Sequence, residues 1–229
     1  MSSGRIIFIT GTDTDVGKTV VSLLVMRALA ARDAVYLKPV QTGCTDPGQD
    51  SDASFVHDLL PGGLPGGRTP SDCIHSCRPL PKAPLLAGDP VDFVALCRFI
   101  AAHATRHEIT VVEGAGGLMV PITAQKTMLD LAMQAGASLL VVGRAGLGTI
   151  NHTLLTLEAM KARKAACLGV VLTDPTDAVP ELDRAENSSA IESFSGLPVH
   201  GVIGRIADLR NPHGHAQAVI EKILSSQGS

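Results

Sequence analysis

The sequence predicts an α/β fold: a doubly wound parallel sheet flanked by helices. Three observations carry this expectation. Short apolar runs alternate with helical patterns along the chain, as successive right-handed βαβ units require. Of the 229 residues 45% are apolar but only 3% aromatic, with no Trp. The core must therefore be Val, Ile, Leu and Ala, which suits strands buried on both faces. Finally, the apolar run Ile6-Ile7-Phe8-Ile9 leads through a glycine-bounded loop into a helical pattern starting near Lys18.

That loop is Gly11-Thr12-Asp13-Thr14-Asp15-Val16-Gly17-Lys18-Thr19. Strand, loop, Gly-Lys-Thr and helix together are P-loop NTPase-like. A loop wrapped around an anion presents consecutive N–H groups to it, and the following helix adds its N-terminal partial charge. Lys18 would reach the β- and γ-phosphates, and the Thr19 hydroxyl would ligate Mg²⁺. Five residues separate Gly11 from Gly17, one more than the common pattern, and Thr12 stands where that pattern has its first Gly.

Candidate strands follow in order: Arg5–Thr10, Ala34–Lys38, Thr110–Glu113, Ser138–Gly143, Cys167–Thr173 and Val199–Ile203. Between them lie helical patterns at Lys18–Ala31, Asp52–Leu60, Val91–His103, Met128–Ala135, Asn151–Ala162, Glu181–Phe194 and Gly214–Leu224. Nothing marks a boundary, so residues 1–229 read as one domain. The net charge of −3 without a basic block argues against nucleic acid as a partner. The apolar runs are too short for a membrane span. Five scattered cysteines, with no signal peptide ahead of them, suit a reducing cytoplasm.

In such a sheet, ligands bind beyond the carboxyl ends of the strands. The second strand ends in Lys38-Pro39-Val40-Gln41-Thr42-Gly43. Lys38 faces the phosphate-loop mouth, although position alone slightly favours a plain solvated strand-end lysine. Asp50-Ser51-Asp52 precedes a helical pattern. The aspartates there read as N-caps or as a second hard oxygen ligand for Mg²⁺. Val111-Val112-Glu113-Gly114-Ala115-Gly116-Gly117 delivers a carboxylate at a strand tip, where phosphate-loop enzymes hold Mg²⁺; a cross-sheet salt bridge is the plainer alternative. Gly146-Leu147-Gly148-Thr149-Ile150-Asn151-His152 turns into a helix whose first N–H groups suit a carboxylate. Thr173-Asp174 and Gly204-Arg205 end the last two strands, placed to wall a nucleotide base. Cys73-Ile74-His75-Ser76-Cys77 lacks a complete fourfold set for zinc.

These motifs, in this order and spacing from about Ile6 to Ile206, resemble dethiobiotin synthetase. The wide gap between Gly11 and Gly17, Lys38-Pro39-Val40, Ser51-Asp52-Ala53, the Glu113 strand and Leu147–His152 all match that family's pattern. The resemblance implies an ATP- and Mg²⁺-dependent ligase that closes a cyclic urea from 7,8-diaminononanoate and CO₂. One amine would take up CO₂ as a carbamate, the γ-phosphate would activate it, and the second amine would close the ring. Carried over by position, Lys18 and Lys38 flank the carbamate and the transferring phosphoryl group. Thr19, Asp52 and Glu113 hold the metal. Asp15, Val16, Gly17, Lys18, Thr19, Val20, Asp52, Glu113, Gly114, Ala115, Gly116, Thr173, Asp174, Gly204, Arg205 and Ile206 line the nucleotide. Thr42, Gly148, Thr149, Ile150, Asn151 and Asn187 contact the substrate, the last from the partner subunit of a homodimer.

One departure concerns the base. The family usually has Asn-Asp where this chain has Thr173-Asp174, and a single hydroxyl cannot span the two adenine atoms that Asn reads. A relaxed base preference is the expectation. A partitioning-type ATPase switch without a small-molecule product is the rival reading. Asp13 counts against it, because that class places a Lys there. An amidotransferase-linked synthetase would need a glutaminase domain for which the chain is too short.

Overall fold

The computed structural model describes residues 4–212 and 214–225. The six expected strands are β1 (Arg5–Gly11), β2 (Ala34–Leu37), β5 (Ile109–Gly117), β6 (Ser138–Arg144), β7 (Cys167–Thr173) and β8 (Val199–Ile203). They form one parallel sheet in the order β2-β5-β1-β6-β7-β8. Strand β1 is central: Phe8 pairs with Val112 on one side and Leu139 on the other. The chain order reverses about β1, so the crevice beyond its carboxyl end is where such a sheet takes a ligand.

Among the described residues the α-helices are α1 (Lys18–Ala28), α2 (Asp52–Leu59), α3 (Phe93–Ala104), α4 (Met128–Gln134), α5 (Thr149–Ala162), α6 (Glu181–Ser195) and α7 (His215–Ser225). They cover both faces of the sheet. Because strand side chains alternate, Ile6 and Phe8 join the core beneath α3, α5 and α6, with Leu96, Ile100, Leu157 and Ile191. Ile7 and Ile9 join the opposite core beneath α1, α2 and α7, with Val21, Val25, Val56 and Val219. Fully burying each such side chain stabilises the fold by about 1.5–3 kcal/mol, so these strands are apolar on both faces.

Sequence reading missed a second, two-stranded parallel sheet of β3 (Val40–Thr42) and β4 (Ser76–Arg78). Three-residue strands carry too little periodicity to be seen. The segment Ala83–Ala87 makes a short 3₁₀ turn at Pro84–Leu86, and α3 begins at Phe93 behind its cap Asp92. Among the described residues no helix is long and apolar enough to cross a membrane.

Candidate active site

The loop between β1 and α1 closes over Gly17, whose φ of 90° is left-handed. A Cβ there would lie 3.1 Å from Thr173 Cγ2, so the position is closed to larger residues on both counts. Lys18 is 6% exposed, and its Nζ donates to the Asp13 carbonyl at 2.8 Å. Burial, and then the charge of Lys38, lower the Lys18 pKa to about 8.

Lys38 is not a solvated strand-end lysine. It is 3% exposed, with Nζ 2.6 Å from Asp52 Oδ2 and 2.9 Å from Glu113 Oε1. Burial alone would lower its pKa, but Glu113 and Asp52 together raise it above the ordinary value. Glu113 is itself 1% exposed. Its Oε1 also accepts from Thr19 Oγ1 at 2.9 Å, and its Oε2 from the Tyr36 hydroxyl at 2.9 Å. The cross-sheet salt bridge weighed for Glu113 therefore exists, to Lys38, and it points into the cleft.

The aspartates before α2 do not cap it. Ser51 does, its side chain accepting from Ser54 N at 2.9 Å in a reciprocal box. That frees the Asp52 carboxylate for Lys38, while burial and the Lys38 charge act oppositely on it and leave its pKa lowered. Gln41 fixes the start of α2 by accepting from Asp52 N at 3.1 Å. Asp50 serves the preceding loop instead, accepting from Thr45 and Asp46.

Thr19, Asp52, Glu113, Lys18 and Lys38 thus meet in one cleft of about 790 Å³, which Asp15, Gly17, Val20, Thr42, Ala115 and Gly116 also line. Two carboxylates around one buried ammonium, with the Thr19 hydroxyl on one of them, are a hard-oxygen donor set already holding a cation. Such a set fits Mg²⁺ beside phosphates.

The base-side residues are arranged differently from expectation. The Thr173 hydroxyl donates to the Val16 carbonyl at 2.8 Å, bracing the phosphate loop from below. Asp174 accepts from Val179 N at 2.9 Å and from Arg184 at 2.6 Å. Both side chains are engaged within the protein, so neither aims a free polar group at a base. Thr173 does line, with Gly204, Arg205, Ile206 and Leu209, an apolar slot of about 230 Å³ beside Val20. Asp177 pins its rim by accepting from Arg205 N at 3.0 Å.

The substrate residues do not converge on the phosphate cleft apart from Thr42. Gly148, in a left-handed conformation at φ 91°, opens α5 with no side-chain cap, so the helix starts at Thr149 rather than Asn151. Thr149 is buried, Ile150 is half-buried against the core, and Asn151 is exposed. Asn187 donates to the Ala145 carbonyl of its own chain at 3.0 Å. Cys73 and Cys77 do not share a site either. Among the described residues no group of three or more His, Cys, Asp or Glu is placed to hold a metal.

Sequence reading missed Tyr36 and Gln41. Tyr36 is the chain's single tyrosine, fully buried two residues before Lys38. A lone polar atom in an otherwise apolar strand was the available signal, since a buried hydroxyl needs a partner.

Comparison with known proteins follows the same lines. A family model described as an AAA domain matches residues 5–213. An ATP-dependent dethiobiotin synthetase of Anaeromyxobacter sp. (strain Fw109-5) is 48% identical over 174 residues, covering 73% of this chain and 76% of that one. Another, from Mycobacteroides abscessus, is 36% identical over 219 residues and covers 94% of each. Among solved structures, the septum site-determining protein MinD of Pyrococcus horikoshii, complexed with Mg-ADP, superposes with a TM-score of 0.60 at 16% identity, covering 98% of this chain and 96% of that one. That likeness concerns the fold alone. The chain belongs to the AAA-domain family matched over most of its length and, within it, to the ATP-dependent dethiobiotin synthetases.

Proposed function

We propose that this single domain carboxylates 7,8-diaminononanoate with CO₂ and closes the cyclic urea at the expense of ATP, in the cytoplasm and as a homodimer. The observation that carries the proposal is Lys38 Nζ, held between Asp52 and Glu113 at the mouth of the phosphate loop. ATP lies with its triphosphate along Asp15–Thr19 and its base in the slot beside Gly204–Ile206. Thr19, Asp52 and Glu113 would hold Mg²⁺, which when bound would supply positive charge against the phosphates. Lys18 follows the γ-phosphate, and Lys38 stabilises charge on the carbamate oxygens as phosphate transfers to them. With both cations pre-placed, the protein's part is positioning and charge stabilisation. The substrate carboxylate sits on the N-terminal turn of α5 at Gly148–Asn151. Exposed Leu147, Met119 and Leu155 around that turn support a second copy covering it, with the partner's Asn187 reaching the substrate.

The deciding experiment is phosphate release with and without diaminononanoate and bicarbonate. Release that needs both supports the ligase; release indifferent to them supports an ATPase switch. The same assay addresses the base. With Thr173 and Asp174 engaged elsewhere, CTP is expected to support kcat/KM within about tenfold of ATP, a difference of ~1.4 kcal/mol. A preference for ATP above about a hundredfold would mean that backbone groups of Gly204–Ile206 read adenine.

Lys18 gives a pH dependence. Its pKa of about 8 in the ligand-free protein rises when a triphosphate arrives, because the anion favours the charged form. Below about 8 Lys18 is charged in both states, and affinity is flat. Above it the free protein must take up a proton to bind, so ATP affinity is expected to fall as pH rises from 8 towards 10. Calorimetry in two buffers of different ionisation enthalpy checks this: proton uptake appears above pH 8 and disappears in Lys18→Met.

A further inference from the structure

The cysteines of the segment Cys73–Cys77 have no part in the site above, and the structure gives one of them a different neighbour. Cys77 lies on β4 and Cys44 just beyond β3. Their Sγ atoms are 3.0 Å apart, and the Cys77 thiol is also 3.1 Å from the Cys44 carbonyl oxygen. The backbone enforces this approach. Gln41 pairs with Cys77 and Thr42 with Arg78, and Cys44 N donates to the Arg78 carbonyl at 3.0 Å. The remaining thiols are not in this arrangement: Cys73 is buried against α2 and its core, and Cys97 and Cys167 lie on α3 and β7.

Cys44 is also tied to the nucleotide cleft. The next residue, Thr45, donates from N and Oγ1 to the Asp50 carboxylate at 2.9 Å, and Asp46 N donates to it at 3.0 Å. Ser51 and Asp52 come next, and the Asp52 carboxylate meets Lys38 at 2.6 Å. We propose that Cys44 and Cys77 are a dithiol that closes to an intramolecular disulfide on oxidation by a peroxide, and that closure weakens Mg-ATP binding through residues 44–52. The disulfide itself stands on the thiol geometry alone, whereas its effect on nucleotide rests on the function proposed above.

The chemistry balances with peroxide as the two-electron oxidant. Cys77, the more exposed of the pair, takes one peroxide oxygen to become a sulfenic acid, and water leaves. Cys44 Sγ then attacks Cys77 Sγ. The S–S bond forms as the S–O bond breaks, and the hydroxyl departs with the Cys44 proton as a second water. The two sulfurs need approach by only about 1 Å to reach a disulfide length. Closure fixes residue 44 to β4, directly before Thr45, whose N and Oγ1 hold the Asp50 carboxylate that organises the loop into α2.

The test treats the reduced full-length protein with hydrogen peroxide at about one equivalent, then counts thiols after denaturation and maps the peptides. Thiols are expected to fall from the five of the sequence by two, with a Cys44–Cys77 linkage. The KM for ATP is expected to rise at least about threefold, ~0.7 kcal/mol, and to return with dithiothreitol. Cys77→Ser and Cys44→Ser are expected to keep their KM on oxidation. Loss of thiols at Cys97 or Cys167, or overoxidation of Cys77 without a linkage, overturns the dithiol. A mapped linkage with unchanged KM overturns the coupling. Absence of ATP turnover in the reduced protein would instead count against the ligase reading, and the peptide map would still decide the disulfide.

Discussion

Lys38→Met is expected to lower kcat/KM by at least about a hundredfold, ~3 kcal/mol of transition-state stabilisation, while KM for ATP stays within about threefold. The reasoning begins with burial. Lys38 is 3% exposed and holds two carboxylates, so it is a fixed cation in a poorly solvated cleft, where a charge acts most strongly on a developing anion. Methionine keeps much of the stem and removes only the charge. The carboxylates then face each other without a counterion, and removing one partner of a buried pair costs about 3–5 kcal/mol. The variant is therefore also expected to melt lower without ligand and to regain more stability than the wild type when Mg-ADP is added. Thermal melts with and without Mg-ADP, beside steady-state kinetics, separate the effects. Near-normal turnover in a folded Lys38→Met protein would remove this lysine from the chemistry.

The burial of Lys38 also shows where sequence reading stops. The sheet was legible because each strand is a short apolar run bounded by turn residues, and each helix repeats at its own period. The phosphate loop was legible because strand, loop and Gly-Lys-Thr are contiguous. The resemblance named Lys38, but its burial was not legible, because its environment comes from Asp52 and Glu113, 14 and 75 positions away in the chain. The same holds for Thr173. Its position at the end of β7 suggested a base contact, but β7 runs beside β6 and beneath the phosphate loop, and the hydroxyl meets the Val16 carbonyl first. Ser51 shows the opposite case. Its capping role was readable from Ser-x-x-Ser alone, yet the flanking aspartates obscured it. Cys77 was grouped with Cys73 by proximity in sequence, whereas the β3–β4 pairing, too short to see, hands it to Cys44.

Glu113→Gln is expected to have the largest effect on catalysis, lowering kcat/KM by about a thousandfold, ~4 kcal/mol, with only a modest loss of stability. Glu113 receives three donors on two oxygens: Lys38 and Thr19 on Oε1, Tyr36 on Oε2. An amide has one carbonyl oxygen and one NH₂ group. Turning its oxygen to Lys38 and Thr19 leaves NH₂ facing Tyr36, whose hydroxyl can rotate to accept. Every buried polar atom keeps a partner, and Lys38 keeps Asp52 at 2.6 Å. Stability should therefore fall by only about 1–3 kcal/mol, the worth of a hydrogen bond to a charged group. Function loses more, because the proposed metal site loses a full negative charge and the neutral oxygen that remains is already shared by two donors. The expected signature is a raised Mg²⁺ requirement at saturating ATP together with the fall in kcat. Tyr36→Phe tests the geometry behind this. It leaves the Glu113 charge in place and removes only the hydroxyl that orients Oε2, so its Mg²⁺ requirement should lie between those of wild type and Glu113→Gln. In the double variant Tyr36→Phe should add little, because the carboxylate it positions is gone. Full additivity of the two substitutions would show that Tyr36 acts on stability alone.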